Sequence, residues 1–563
     1  MNLNKIIPLI LPLLWGSMGF AQETKHPKLI LQITVDQLRG DLPTKYMKNM
    51  GEGGFRYLRD QAVWYTNAHY GHANTETVVG HTVLATGADP SVNGMIANVW
   101  FDREKGKLVY NIEDEDYKIL SKNADVDKST ELDASQALAT VEGRSPRNIL
   151  VTTFSDELYL KTNGKSKVFG VSIKDRGAVT LAGHTGKAFW FSKSNGEFIT
   201  SNYYYNKYPE WVTKWNKTKM PSKTYGGKAW ELMNDKSTYM YGEEDDMPWE
   251  TDAAGFGITF PHEYKKANYK YFTNFLTYSP AGDEITLDFA KALVENEEIG
   301  KDDITDYLSI SFSSTDYVGH LFGPSSLEAE DNMLRLDKTL ADLFAFIDKE
   351  VGLENTLIVL SADHGGPEAP GYLESKGIES GYVSPDKWDK EPAIENLKKQ
   401  FGIGQELIQK FFPPYLYLNE KVIAEKGLDI EEVEAAVAIE LMKIKGVALA
   451  VSRFALEKNK LPDTYLNRKA LRNFNATRSG NLLILFQPQY FINDYMGEKT
   501  SANHGGPWMY DSYVPVIFAG MNLKGQHVSR KIEPKDIVST LSNLMETRPP
   551  SGADGEVLQE IVK

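Results

Sequence analysis

Cysteine is absent from all 563 residues. That excludes disulfides, thiol chemistry and lipid attachment to sulfur; it suits an oxidising compartment without proving one. An excess of positive charge is absent too: 62 Lys and Arg face 77 Asp and Glu, a formal net charge of -15. Such acidity disfavours broad binding to nucleic acid or to an anionic membrane, so no nucleic-acid partner is expected, yet it says nothing against a cationic pocket inside. Internal repeats and low-complexity segments are missing, and beyond the N-terminal segment no apolar run is long enough to span a bilayer. Histidine is scarce, at ten residues, which gives weight to the places where histidines gather with acids.

What is present is ordinary for a globular protein: 41% hydrophobic and 25% charged residues. Length alone would allow roughly three or four domains. Residues 1–21 read as a cleaved secretory signal, with Lys5 as the positive start, Ile6 to Trp15 as the apolar stretch and Gly19-Phe20-Ala21 as a small-x-small cleavage site. A membrane anchor is the alternative, but the apolar run is short for a span.

Leu29 to Val35 is a short apolar, β-branched run with Asp36 at its C-terminal end. The same pattern recurs at Tyr307 to Ser313 before Asp316, at Thr356 to Leu360 before Asp363-His364, and at Val168 to Ile173 before Lys174 and Arg176. Runs of this kind read as buried parallel strands, and open α/β sheets bind ligands at the carboxyl ends of such strands. Helical periodicity lies between them, as in Ser326 to Val351 and Pro534 to Met545, so the class is α/β with a mostly parallel central sheet flanked by helices. Chemistry drawn from positions 36 to 504 argues for one catalytic domain, residues 22–563, rather than separate modules. Two stretches break the rhythm, at about 185–285, with hairpin-like pieces around Ser194-Asn195-Gly196, and at about 367–495, with a helix over Ile430 to Lys445 and strand-like runs at Val447 to Val451 and Leu482 to Phe486. Both read as insertions over the active-site face.

The words that carry chemistry are Thr77-x-x-x-His81, Asp316-x-x-x-His320, Ser361-Ala362-Asp363-His364-Gly365 and Asn503-His504-Gly505-Gly506, together with Asp36. Carboxylate oxygen with imidazole nitrogen suits zinc, and two such sites sharing one oxygen nucleophile suit phosphoryl transfer. Thr77 opens a helix that Gly87 closes, where backbone N–H groups and the helix dipole favour an alkoxide and a bound phosphoryl group. Singly, a threonine there is more often a plain N-cap; the metal-type residues around it favour a nucleophile, with Thr75 as its rival. Asp316 and His320 lie one turn apart if helical. His69, His81 and His184 read as structural or as supports to the ligands. Lys174 and Arg176 at a strand end suit a clamp on phosphoryl oxygens, and Asn98 adds a neutral donor, although turn residues of these types are equally ordinary.

Together these words resemble the alkaline phosphatase superfamily, and within it the single-chain periplasmic phosphatases with a threonine nucleophile. The resemblance runs from about Leu29 to the C-terminus. It implies two zinc ions, the first held by Asp316, His320 and His504, the second by Asp36, Asp363 and His364 with Thr77 bound to it. It implies contacts from Asn98, Lys174 and Arg176 to the phosphoryl group, a phosphothreonine on Thr77, and hydrolysis of a broad range of small phosphate monoesters by a periplasmic monomer. Sulfatases need a cysteine or serine at the nucleophile position, and phosphoglycerate mutases of this superfamily carry serine there. Nucleotide pyrophosphatase/phosphodiesterases share the threonine and the ligand set but are not expected to carry the Lys-x-Arg pair. A phosphodiesterase with the same metals and a catalytically idle metal-binding scaffold are the alternatives.

Overall fold

The computed structural model describes residues 26–492, 494–495 and 498–562; the expected signal segment lies outside them. Nine strands form one mixed sheet. In chain order they are β1 (Leu29–Val35), β2 (Val63–His69), β3 (Val168–Ser172), β4 (Lys187–Ser192), β5 (Glu197–Ile199), β6 (Asp306–Phe312), β7 (Thr356–Ser361), β8 (Tyr513–Gly520) and β9 (Gln526–Val528). Across the sheet the order is β9-β2-β8-β7-β1-β6-β3-β4-β5. The central run β7-β1-β6-β3-β4 is parallel throughout, while β8 runs antiparallel to both its neighbours and β5 is antiparallel to β4.

All residues of β1, β3, β6 and β7 are buried, as a sheet covered on both faces requires. Alternate residues enter opposite cores: Leu29, Leu31 and Ile33 join one apolar cluster and Ile30 another. Asp36 directly follows β1, Lys174 follows β3, Asp363 follows β7, and Asp316 lies in the helix after β6. Because β7, β1, β6 and β3 are adjacent and parallel, their four carboxyl ends meet at one place. Helices α1 (Thr77–Thr86), α2 (Asp175–Ala182), α3 (Ser314–Phe322) and α4 (Leu327–Glu350) cover or border that edge. Ser326 caps α4 by accepting the Ala329 N–H.

One expectation needs correcting. The hairpin at Ser194 to Gly196 exists, with Gly196 at φ 71°, but its arms are β4 and β5 at the edge of the central sheet. The stretch assigned to an insertion from about 185 therefore begins inside the main fold. The segment after it docks on α4, where Trp230 Nε1 and the Tyr239 hydroxyl both donate to Asp331. Farther along, Ile408–Phe412, Tyr415–Leu418, Leu482–Phe486 and Val447–Ser452 form a separate antiparallel sheet in that spatial order. It is backed by a helix at Ile430–Leu441 that ends before the expected Lys445. Among the described residues no helix is long and apolar enough to cross a membrane.

Candidate active site and metal centre

Thr77 is the first residue of α1 and is 1% exposed. Its helix is wholly buried, and Gly80 explains how it sits so close to the sheet: a Cβ there would lie 1.9 Å from the Asp363 carbonyl oxygen. The Gly87 cap adopts φ 65°. Thr75, the rival hydroxyl, is committed elsewhere, donating to the Gly506 carbonyl at 2.9 Å.

Three imidazoles are oriented alike. His320 Nδ1 is 2.9 Å from the Ala502 carbonyl, His504 Nδ1 2.8 Å from the Thr75 carbonyl, and His364 Nδ1 2.8 Å from the Gly365 carbonyl. Carbonyls only accept, so each Nδ1 carries a proton, and each ring turns its Nε2, the nitrogen a metal would take, toward the carboxylates. Burial pushes His364 down to about 3 and also lowers His504, which keeps both rings neutral. For His320 burial acts downward, but the Asp316 carboxylate outweighs it and the net shift is upward.

Ligand-type atoms gather in two groups, Asp36 with Asp363 and His364, and Asp316 with His364 and His504. The first is the set expected for one ion. The second differs: His364 is common to both groups, and His320 stands beside the second, with Nε2 3.3 Å from Asp316 Oδ1, as is His504 Nε2. His364 also stacks on His504, ring centroids 3.7 Å apart. Asp36 Oδ1 and His364 Nε2 are buried without a hydrogen-bond partner among the described residues. Burial, with Asp363 next in importance, holds Asp36 well above the usual carboxylate range. Carboxylates so crowded cannot all ionise without added positive charge, so the set fits divalent cations, and its N/O donors fit zinc.

Lys174 is 1% exposed. Its Nζ lies 2.8 Å from Asp36 Oδ2, 2.5 Å from Asp316 Oδ2 and 3.4 Å from Thr77 Oγ1. Arg176 lines the adjoining cavity and is held by Asp133 at 3.0 Å and the Tyr110 hydroxyl at 3.4 Å. Asn98 accepts the Val78 N–H on Oδ1 at 3.0 Å, which leaves its amide NH₂ as the group free to donate to an anion. Of the other histidines, His81 Nδ1 is 3.0 Å from Asp363 Oδ2, His184 pairs with Asp156 at 2.8 Å, and His69 meets Asn67 at 3.1 Å.

Sequence reasoning missed several residues that build this site. Gln37, in a left-handed conformation at φ 63°, donates its N–H to Asp363 Oδ1 and its amide to Asp316 Oδ1, both at 3.1 Å. Glu76 accepts the Asn98 N–H at 2.7 Å and the Asn74 amide at 3.0 Å. Asn473, in the helix Tyr465–Asn473, accepts the Asn74 N–H at 3.0 Å and donates to the Ile96 carbonyl at 3.2 Å. The one sequence signal was position: Gln37 and Glu76 adjoin singled-out residues.

A family model described as type I phosphodiesterase / nucleotide pyrophosphatase matches residues 30–507. The chain is 34% identical to alkaline phosphatase PafA of Elizabethkingia meningoseptica, across 97% of each chain. It is 32% identical to a Myroides odoratus protein named calcium-transporting ATPase, across 96% of each. It is 34% identical to alkaline phosphatase PhoV of Synechococcus elongatus, across 97% of this chain and 94% of that one. The crystal structure of wild-type PafA superposes with a TM-score of 0.85 at 33% identity, covering 96% of this chain and 99% of that one.

Proposed function

The chain belongs to the type I phosphodiesterase / nucleotide pyrophosphatase family, within the alkaline phosphatase superfamily, and is a phosphatase; we propose that it is a two-zinc phosphomonoesterase of broad range that works through a phosphothreonine on Thr77. The carrying observation is the Lys174 ammonium, within 3.4 Å of Thr77 Oγ1 and in ion-pair contact with a carboxylate from each ligand group. Both groups and the hydroxyl thus meet at one point.

Asp36, Asp363, His364 and Thr77 would hold one zinc, and Asp316, His320 and His504 the other, with His364 near enough to serve either. When bound, the ions would supply Lewis-acid charge that acidifies an attacking oxygen and stabilises a leaving one. The chain's own residues do the rest. Thr77 Oγ1, its hydroxyl proton lost to solvent, attacks phosphorus in line; its bond to phosphorus forms as the bond to the substrate alcohol breaks, and the departing oxygen takes up a proton from solvent. The N-terminal N–H groups of α1 and the Asn98 amide favour the anion there. Lys174 and Arg176 match the charge of a dianionic monoester better than that of a monoanionic diester, each at a value on the order of 3 kcal/mol in a water-poor site. Water then takes the phosphoryl group from Thr77, releasing inorganic phosphate and restoring the hydroxyl.

The remaining elements of the reading are residues 22–563 as one catalytic domain with its insertions, removal of residues 1–21 on export to the periplasm, and a monomeric state. Metal analysis of the purified protein, with turnover of one monoester and one diester, tests the proposal. Two zinc ions per chain and a strong monoester preference are expected. Diester preference would put the phosphodiesterase reading first, and bound metal without turnover of either would leave a scaffold.

A further inference from the structure

The cavity into which Thr77, Asn98 and Arg176 face holds about 380 Å³. The residues that would handle the phosphoryl group account for one part of its lining, and the rest changes character. Leu132, Ala253, Leu321, Ile484, Phe486 and Trp508 line it, drawn from separate stretches of chain that include both insertions. This wall is continuous with the ligand residues: Leu321 follows His320 within α3, and Trp508 closely follows His504. An in-line attack by Thr77 expels the alcohol on the side opposite Thr77, and in the proposed reading the ion that would receive it is held by His320 and His504, close along the chain to Leu321 and Trp508.

Three polar groups beside this wall have partners, although Asp511 Oδ1 is buried without one among the described residues. Trp508 Nε1 donates to the Phe486 carbonyl at 3.0 Å. Asp511 accepts the Gly506 N–H at 2.7 Å, and Asp133 is paired with Arg176 at 3.0 Å. The lining is also short of cations. Among the described lining residues Arg176 is the only Lys or Arg, whereas Glu76, Asp133, Asp252, Asp316 and Asp511 are all present. A substrate with a second anionic group would find no free cation for it and several carboxyls nearby.

We infer that this wall is a leaving-group subsite for an uncharged apolar alcohol, aromatic ones above all, and that it works against esters whose alcohol bears further anionic groups, such as nucleoside triphosphates. The inference rests on the phosphatase reading and specifies which monoesters that same site takes best. Burying an aromatic ring against such a wall is worth tenfold or more in kcat/KM, and a site without partners for a charged group rejects it more strongly still.

The test compares benzyl phosphate, glycerol phosphate and ATP on the metal-loaded enzyme, the first two having alcohols of similar acidity. We expect kcat/KM to favour benzyl phosphate over glycerol phosphate by about tenfold or more, and over ATP by a larger factor. Trp508→Ala should shrink the benzyl-to-glycerol ratio severalfold. Ala253→Lys, at a half-buried loop position, should raise ATP turnover relative to benzyl phosphate. Equal kcat/KM for benzyl and glycerol phosphates, or ratios unmoved in both variants, would overturn the subsite. If no ester were turned over, the phosphatase reading itself would fall, and binding would still decide the subsite: phenylphosphonate binding tighter than methylphosphonate supports it, and equal binding refutes it.

Discussion

The ammonium of Lys174 lies 2.5 Å from Oδ2 of Asp316 and donates a hydrogen bond to it. Burial alone would raise the Asp316 carboxyl, yet Lys174 first and then His320 hold it well below its ordinary range. Burial would likewise lower Lys174, and Asp316 with Asp36 raises it instead. The lysine expected to grip phosphoryl oxygens is therefore also the fixed positive charge of the carboxylate cluster. It stays charged while sitting within reach of the Thr77 oxygen.

Replacing Lys174 and Arg176 together with alanine is expected to cut monoester kcat/KM by about a hundredfold or more. Diester hydrolysis, with one charged oxygen fewer to satisfy, should fall much less. The measurement is the monoester-to-diester ratio on protein whose metal content has been checked, since Lys174 also touches Asp36 and Asp316. A double variant that keeps the wild-type ratio would refute the clamp.

Thr77→Ala should keep its metal and lose at least about a thousandfold in turnover, because the carboxylate and imidazole ligands remain while the nucleophile is gone. Acid quench of the wild-type enzyme during turnover of labelled substrate should leave the label on Thr77. Label on Thr75 would contradict the geometry, in which that hydroxyl is spent on Gly506.

Metal stoichiometry should separate the histidines. His364 belongs to both ligand groups, so His364→Ala is expected to weaken both ions. His504→Ala and His320→Ala should weaken chiefly one, by about 10- to 100-fold for a lost supporting contact and by more for a lost ligand. Titration with a chelator, read as zinc retained per chain, distinguishes the outcomes; equal loss of both ions in all three variants would argue against the division.

The parts of this architecture that were legible were local. Leu29 to Val35 reads as a buried strand because parallel strands covered on both faces are apolar without interruption, and Asp36, Asp316 and Asp363 follow their strands closely enough for the edge to be inferred. The hairpin around Gly196 was legible as a hairpin, but its membership of the main sheet was not, since alternation does not say which sheet an edge strand joins. Gln37, Glu76 and Asn473 were illegible for a related reason. Their roles lie in contacts spanning 279, 22 and 399 residues of sequence, and ordinary amides and carboxylates carry no mark of such a partner. His364 is common to both groups and stacks against His504, a proximity which no spacing announces.

Acid should destabilise the fold partly through His69. Burial, with Lys531 and Lys469 adding to it, pushes this imidazole down to about 4, while it packs on Tyr513 with ring centroids 5.1 Å apart. A base with a depressed folded-state pKa contributes its full stability above its unfolded value, about 6.5, and loses it as pH falls toward the folded value. His69→Phe keeps the ring contact and removes the titration. Urea unfolding near pH 7 and near pH 4.5 should show a smaller drop for the variant than for wild type. Parallel drops would remove His69 from the acid response.

Asn473 offers a sharper test of how the helix Tyr465–Asn473 serves the site. Its side chain is fully buried and ties the Asn74 N–H to the Ile96 carbonyl, bracing the loop before Thr77 against the loop before Asn98. The link continues inward, from the Asn74 amide to Glu76 and from Glu76 to the Asn98 N–H, and closes where Asn98 takes the Val78 N–H. Asn473→Asp keeps an acceptor for Asn74 but loses the donor to Ile96 and to the Tyr415 hydroxyl, so it should lower kcat about tenfold with metal content unchanged, and Asn473→Ala should lower it further. A merely structural role would give losses that simply add to those of Asn98→Ala. If Asn473 acts by holding Asn98 in place, the double variant should lose less than the sum, by about 0.5–3 kcal/mol of coupling in kcat/KM. Strict additivity, with unfolding midpoints lowered to match, would make the helix that carries Asn473 a support for stability alone.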